Sequence, residues 1–217
     1  MGTNFNRNAR LAGVLFLLTM AVAIAANLII VNLLAPDDYL VKIAANQNQP
    51  GYAGLLMMIN CLGIIGIGAL LYPIIASANR SAAVLYMSAR IFEAALLTLG
   101  IISILTLGSL ASETSGETSG LYAMANVAVR TNWFAYHGAM AALGLGSIPF
   151  CYILFKNSMI PRVLSGLGIV AYLILFLSSL LAFTGIEAGI ASTIAGFVFE
   201  VSFGFWLVLK GISRESS

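Results

Sequence analysis

A chain of 217 residues in which 60% are hydrophobic and 8% charged lies far from soluble domains, where about a quarter of residues carry charge, and reads as an integral membrane protein. The formal net charge of +2, with no extended basic patch, argues against nucleic acid as a partner. The sequence has no mid-span lysine, no second histidine, no glycine-rich nucleotide loop and no carboxylate–histidine cluster. It therefore argues against a retinal Schiff base, bis-histidine haem, nucleotide chemistry and a metal centre, and no cofactor is expected.

Crossing about 30 Å of hydrocarbon takes about 20 apolar residues in a helix. Runs of that length lie near 11–34, 52–78, 82–110, 131–155, 163–184 and 188–209. They predict an all-α integral membrane bundle of six transmembrane helices in one polytopic domain, 1–217, since the linkers are too short to separate two cores. The first run follows Arg7 and Arg10 as a signal peptide would, yet it stays apolar to Leu34. That exceeds a signal core of about 7–15 residues, so the segment reads as a retained span.

In the loop APDDYLVKIAANQNQPGY (35–52), Pro36, Asp37 and Asp38 act as helix-start signals before Tyr39, Leu40 and Ile43 at helical spacing. A short helix lying on the outer leaflet is expected. The second span carries Asn60, Gly63 and Gly66, and the third carries Tyr86, Arg90 and Glu93. SETSGETSG (112–120) is polar and glycine-containing, the composition of a mobile loop, whereas KNSMIPR (156–162) reads as a short, stiff turn. Pro73 and Pro149 sit where they can bend their helices near the inner leaflet, either as fixed kinks or as hinges. Cys61 and Cys151 fall inside spans and behave there as small apolar side chains, with no disulfide pattern.

Short cytoplasmic loops are enriched in Lys and Arg. If six spans alternate, Arg7, Arg10, Arg80, Lys156, Arg162, Lys210 and Arg214 share the side of the N-terminus, while Asp37, Asp38, Lys42, Glu113, Glu117 and Glu187 lie opposite. Both termini are accordingly expected to be cytoplasmic.

The polar residues inside the spans carry the functional signal, because an ionised group near the bilayer centre costs roughly 2.5–3.5 kcal/mol and needs a partner, a cavity or a ligand. Tyr86, Arg90 and Glu93 stand at i, i+4 and i+7, so they share one helix face, with Gly100 further along it. In the sixth span Gly196, Glu200 and Gly204 recur every four residues, and small flanking residues allow a close helix approach that turns Glu200 inward. Counting the rise puts Glu93 about 17 Å and Glu200 about 15 Å from their cytoplasmic ends, so the two carboxylates should lie level. In the fourth span Asn126, Arg130, Trp133 and His137 follow at spacings of three and four. Arg130 falls at the outer interface, where it can anchor to headgroups; His137, about 27 Å up, suits either packing or proton traffic. If Arg90 is ionised, one carboxylate serves as its counterion and the second is left either to hold a proton or to await a cation.

Taken along its length, the chain resembles the bacterial and archaeal domain-of-unknown-function family 4386 of small multi-span membrane proteins. The stretches that carry the resemblance are ARLAGVLFLL (9–18), APDDYLVKIAANQNQ (35–49), ALLYPII (69–75), RIFEAALLTLGIISIL (90–105), RTNWFAYHG (130–138), CYILFKNSMIPRVLSGLGIVAYL (151–173) and FEVSFGFWLVLKG (199–211). It implies a membrane bundle of six or seven helices and brings with it neither a reaction nor a defined site.

Three functions compete. The leading one is binding or proton-coupled transport of a small molecule or lipid, with Glu93, Glu200, Arg90, Tyr86, His137, Arg130 and Asn60 as candidate ligand or proton sites. The third span of each half carries a mid-span glutamate, as an inverted-repeat carrier does, although the halves have no alignable similarity. The second is an intramembrane enzyme that sets paired carboxylates against an apolar lipid or isoprenoid. The third is a packing protein whose polar cluster fixes helix register. Membrane lipids and a small apolar or amphipathic ligand are the expected partners, and oligomeric state is not legible.

Overall fold

The computed structural model describes residues 2–35, 38–112, 118–186 and 191–212. Seven helices follow one another there without a strand: α1 (Gly2–Leu34), α2 (Tyr39–Ala45), α3 (Gln49–Ala76), α4 (Arg80–Ser112), α5 (Thr118–Lys156), α6 (Arg162–Ala182) and α7 (Ala191–Leu209). Helix is what such a sequence must form, because in hydrocarbon each backbone N–H and C=O has to be satisfied within its own segment. Five of the seven, α1, α3, α4, α5 and α6, are long and apolar enough to cross a membrane, and α7 is a shorter apolar helix over Ile194–Leu209. The chain is a multi-helix membrane protein.

Consecutive long helices pack side by side, α1 on α3, α3 on α4, α4 on α5, α5 on α6 and α6 on α7, and α7 returns to α1. Six helices thus close a ring around an interior. Glycine makes the closure possible: a Cβ built on Gly13 would lie 2.8 Å from the Gly204 carbonyl oxygen and 3.0 Å from the Val208 nitrogen. Contacts that tight leave room only for hydrogen, so α1 and α7 cross with backbones touching. Beyond the crossing, the Ile212 N–H donates to Asn6 Oδ1 at 3.1 Å and ties the ends of the two helices together.

Apolar packing divides by level. At the end that carries Arg10, Arg80 and Lys156, the core joins Ala9, Ile75, Ala83, Phe150, Leu154 and Leu207. Midway, Ala26, Cys61, Ala94, Leu97 and Ala139 form a thinner cluster. At the far end Ile30, Leu33, Leu40, Ile43, Leu107 and Ala125 pack together.

Three expectations change at that far end. The fourth apolar helix does not begin near 131: α5 starts at Thr118 and runs for 39 residues, about 58 Å at the helical rise. Its first turns are held by burial of Ala125 and Ala128 in the far-end cluster, beside residues of α2 and α4. Asn126 and Arg130 therefore stand well inside a helix. The polar stretch of 112–120 shrinks correspondingly, with Ser112 ending α4 and Thr118 opening α5, while 113–117 lie outside the described residues. The short loop helix forms as expected, but its apolar side is covered by protein: Leu40 is 0% and Ile43 1% exposed. The Tyr39 hydroxyl donates to Asn126 Oδ1 at 2.9 Å, and burial, followed by the neighbouring Tyr122, pushes its pKa up, so the phenol keeps its proton. Lys42 Nζ donates to the Asn32 carbonyl oxygen at 2.6 Å, fastening α2 to the end of α1. The turn at 156–162 is tight, Ser158 taking φ 48° where α5 ends with the Met159 N–H donating to the Leu154 carbonyl at 3.0 Å.

Candidate functional site

The apolar length of α4 is interrupted by one turn of polar residues. Arg90 and Glu93 are 3% and 2% exposed, and at i, i+3 they form an ion pair, Nη1 to Oε2, at 2.9 Å. Arg90 Nε donates to the Tyr86 hydroxyl at 3.2 Å. The guanidinium carbon also lies 5.2 Å from the Tyr86 ring centre and 5.5 Å from that of Phe16 on α1, distances at which a ring face attracts a cation. Behind it, Tyr86 rests on Phe150 of α5. Two aromatic rings, those of Tyr86 and Phe16, thus flank the guanidinium. Arg90 Nη2 is buried without a hydrogen-bond partner among the described residues, a deficit that costs about 1–3 kcal/mol where it persists.

Glu200 comes to the same place from α7. It is half-buried, and its Oε1 accepts a hydrogen bond of 2.9 Å from the hydroxyl of Tyr172 on α6. Its charge acts on Arg90, Glu93 and Tyr172. The two glutamates thus share one electrostatic environment and one cavity wall. Glu200 differs from Glu93 in being outside the ion pair.

Arg90, Glu93 and Glu200 line one cavity of about 470 Å³ with Asn60 of α3, Thr19 and Asn27 of α1 and Tyr136 of α5. The rest of its wall is apolar, including Phe16, Met20, Ile24, Ile64, Leu97 and Phe197. A second chamber of about 400 Å³ adjoins it toward the far end, bordered by Gly100, Ile104, Asn132 and Trp133. Asn27, Val31, Met57, Leu97 and Tyr136 belong to both walls. Mostly apolar concavities of about 300–1,000 Å³ with a few converging polar groups are the usual form of small-molecule sites.

Of the residues singled out in the sequence, Glu93, Glu200, Arg90 and Asn60 are brought together on this cavity, and Tyr86 supports Arg90 from behind. Two others stand apart from it. Arg130 is exposed in the first half of α5, and His137 packs between Trp133, at 4.2 Å between ring centres, and Tyr136, at 5.4 Å. The two glycines flanking Glu200 play different parts. Gly204 mediates the α1 crossing, whereas a Cβ on Gly196 would meet nothing within 4 Å because that residue borders the cavity. Sequence reasoning missed Tyr172, Phe16, Asn27 and Tyr136. Asn27 carried a readable signal as a polar side chain within an apolar span; the aromatic residues did not, because rings recur throughout the spans.

No curated protein and no solved structure matches the chain. The model of one family, a domain of unknown function (DUF4386), matches residues 11–211, from the first long helix to the end of the last. The chain belongs to the domain-of-unknown-function family 4386.

Proposed function

We propose that this protein is a six-span bundle of the prokaryotic plasma membrane, with both termini cytoplasmic, that binds a small molecule or lipid at the Arg90–Glu93–Glu200 cavity and exchanges it for a proton. The observation that carries the reading is Glu200, a carboxylate outside the Arg90–Glu93 ion pair that borders a cavity of about 470 Å³. An acid with a permanent counterion needs nothing more, whereas one without it holds a proton or meets a ligand, and a neighbouring cavity favours the ligand. The aromatic clamp on Arg90 and the Tyr172 hydrogen bond hold both charged groups at fixed positions, as a site built for a ligand requires.

The test is occupancy of the cavity. Protein purified in mild detergent after exposure to total lipid and metabolite extract of the host membrane is washed, and retained molecules are released and identified by mass spectrometry. A discrete small molecule is expected on the wild type and is lost in Ala23→Trp, which fills the cavity from α1 without touching the charged residues. Retention of nothing beyond detergent, or equal retention by Ala23→Trp, contradicts the reading.

A further inference from the structure

The cavity is not closed on all sides. Its α1 wall is a stripe at helical spacing, Met20, Ile24, Leu28 and Val31, of which Ile24 is 44%, Leu28 67% and Val31 65% exposed. Opposite, Phe197 of α7 is 45% exposed and Gly196 faces open space. The same two helices are pinned backbone to backbone at Gly13 and Gly204. They meet at one end and part toward the other, and the gap runs along side chains that otherwise face lipid. Glu200 sits just inside it, less than two turns from the crossing.

The polar wall has a sign. Within it stand one guanidinium and two carboxylates, and the guanidinium is bonded to Glu93. Tyr172 on α6, Arg90 and Glu93 on α4 and Cys151 on α5 face Glu200 electrostatically, while the described α1 side chains on the cavity carry no titratable group. Tyr172 fills one acceptor position of the Glu200 carboxylate, which offers about four. With Glu200 ionised the site holds one negative charge in excess, and a monocation neutralises it. An anion would double the imbalance.

We propose that the ligand is a lipophilic monocation, an apolar body bearing one positive centre, which enters from the membrane between α1 and α7 and competes with a proton for Glu200. This rests on the cavity reading above and adds the charge, the route and the competitor. A bulky apolar body suits the walls, and a proton and a cation cannot both occupy the carboxylate.

The experiment uses two probes of matched shape and opposite charge, tetraphenylphosphonium and tetraphenylborate, binding to nanodisc-reconstituted protein at several pH values. The phosphonium is expected to bind and the borate not. Phosphonium affinity should rise with pH, by up to about tenfold per unit while Glu200 is losing its proton. Glu200→Gln should weaken phosphonium binding by about tenfold or more, the scale of one charge–charge attraction lost near a protein interior, and abolish its pH dependence. Phe197→Trp, which narrows the gap without altering charge, should slow association. Melting curves of the variants establish that they are folded; if Glu200→Gln is not, Tyr172→Phe replaces it, with a smaller loss expected. Equal binding of the borate, no binding of the phosphonium, or unchanged affinity in a folded Glu200→Gln each overturn the proposal. Retention of a neutral or anionic molecule in the extract experiment, lost in Ala23→Trp, would overturn this inference while leaving the cavity reading standing.

Discussion

Arg90 is the residue on which the interior depends. Its guanidinium is paired with Glu93, donates to Tyr86 and lies against the rings of Tyr86 and Phe16, so removing it strips a buried carboxylate of its counterion. Breaking one partner of a buried pair costs about 3–5 kcal/mol, whereas replacing both with apolar residues of similar volume is often close to neutral. Arg90→Met should therefore destabilise the protein on that scale, and Arg90→Met with Glu93→Met should recover most of it, as read from denaturant unfolding in detergent. If the double variant is as unstable as the single, the pair is not the unit it is taken to be. At this scale the sequence was most informative for charge. A carboxylate in an apolar run is conspicuous, so Glu93 and Glu200 declared themselves, while Tyr172 and Phe16 were indistinguishable from other aromatic residues until partners appeared beside them.

Among the helices, the crossing of α1 and α7 is the most constrained contact. Gly13 abuts the backbone of α7, which cannot rotate out of the way as a side chain can, so Gly13→Leu must force the helices apart. Overpacking of this kind costs about 1–3 kcal/mol or more, and thermal melting should register it. Gly196 provides the contrast. Its Cβ position is open, and replacing a mid-helix glycine with alanine favours the helix by roughly 0.8–1.0 kcal/mol, so Gly196→Ala should melt no lower than wild type. Equal destabilisation by both would show that α7 is packed differently along its length. The repeat of Gly196, Glu200 and Gly204 suggested two equivalent small-residue contacts, and spacing alone could not tell the packed glycine from the one beside a void. Hydropathy similarly found α5 from 131 to its end and missed its start, because the first turns of that helix are held by burial of Ala125 and Ala128 against neighbours.

For the molecule as a whole, all-helical architecture and membrane residence follow from composition and run length, since hydrocarbon leaves few alternatives to helix. Closure of the ring by α7 on α1 did not follow, because it depends on residues nearly the whole chain apart, such as Gly13 and Gly204. Nor did the cavity, which exists because six helices surround a space that their small and medium side chains leave unfilled. The arrangement gives one carboxylate a fixed cation and leaves the other bordering that space, and it is the second that should exchange protons. Infrared difference spectroscopy of the protein in membranes, acidified against neutral, observes such an exchange through the carbonyl stretch of a protonated carboxyl group. A carboxyl band that forms on acidification, survives in Glu93→Gln and disappears in Glu200→Gln is the expected result. A band that survives in Glu200→Gln and disappears in Glu93→Gln, or no band in the wild type, would contradict it.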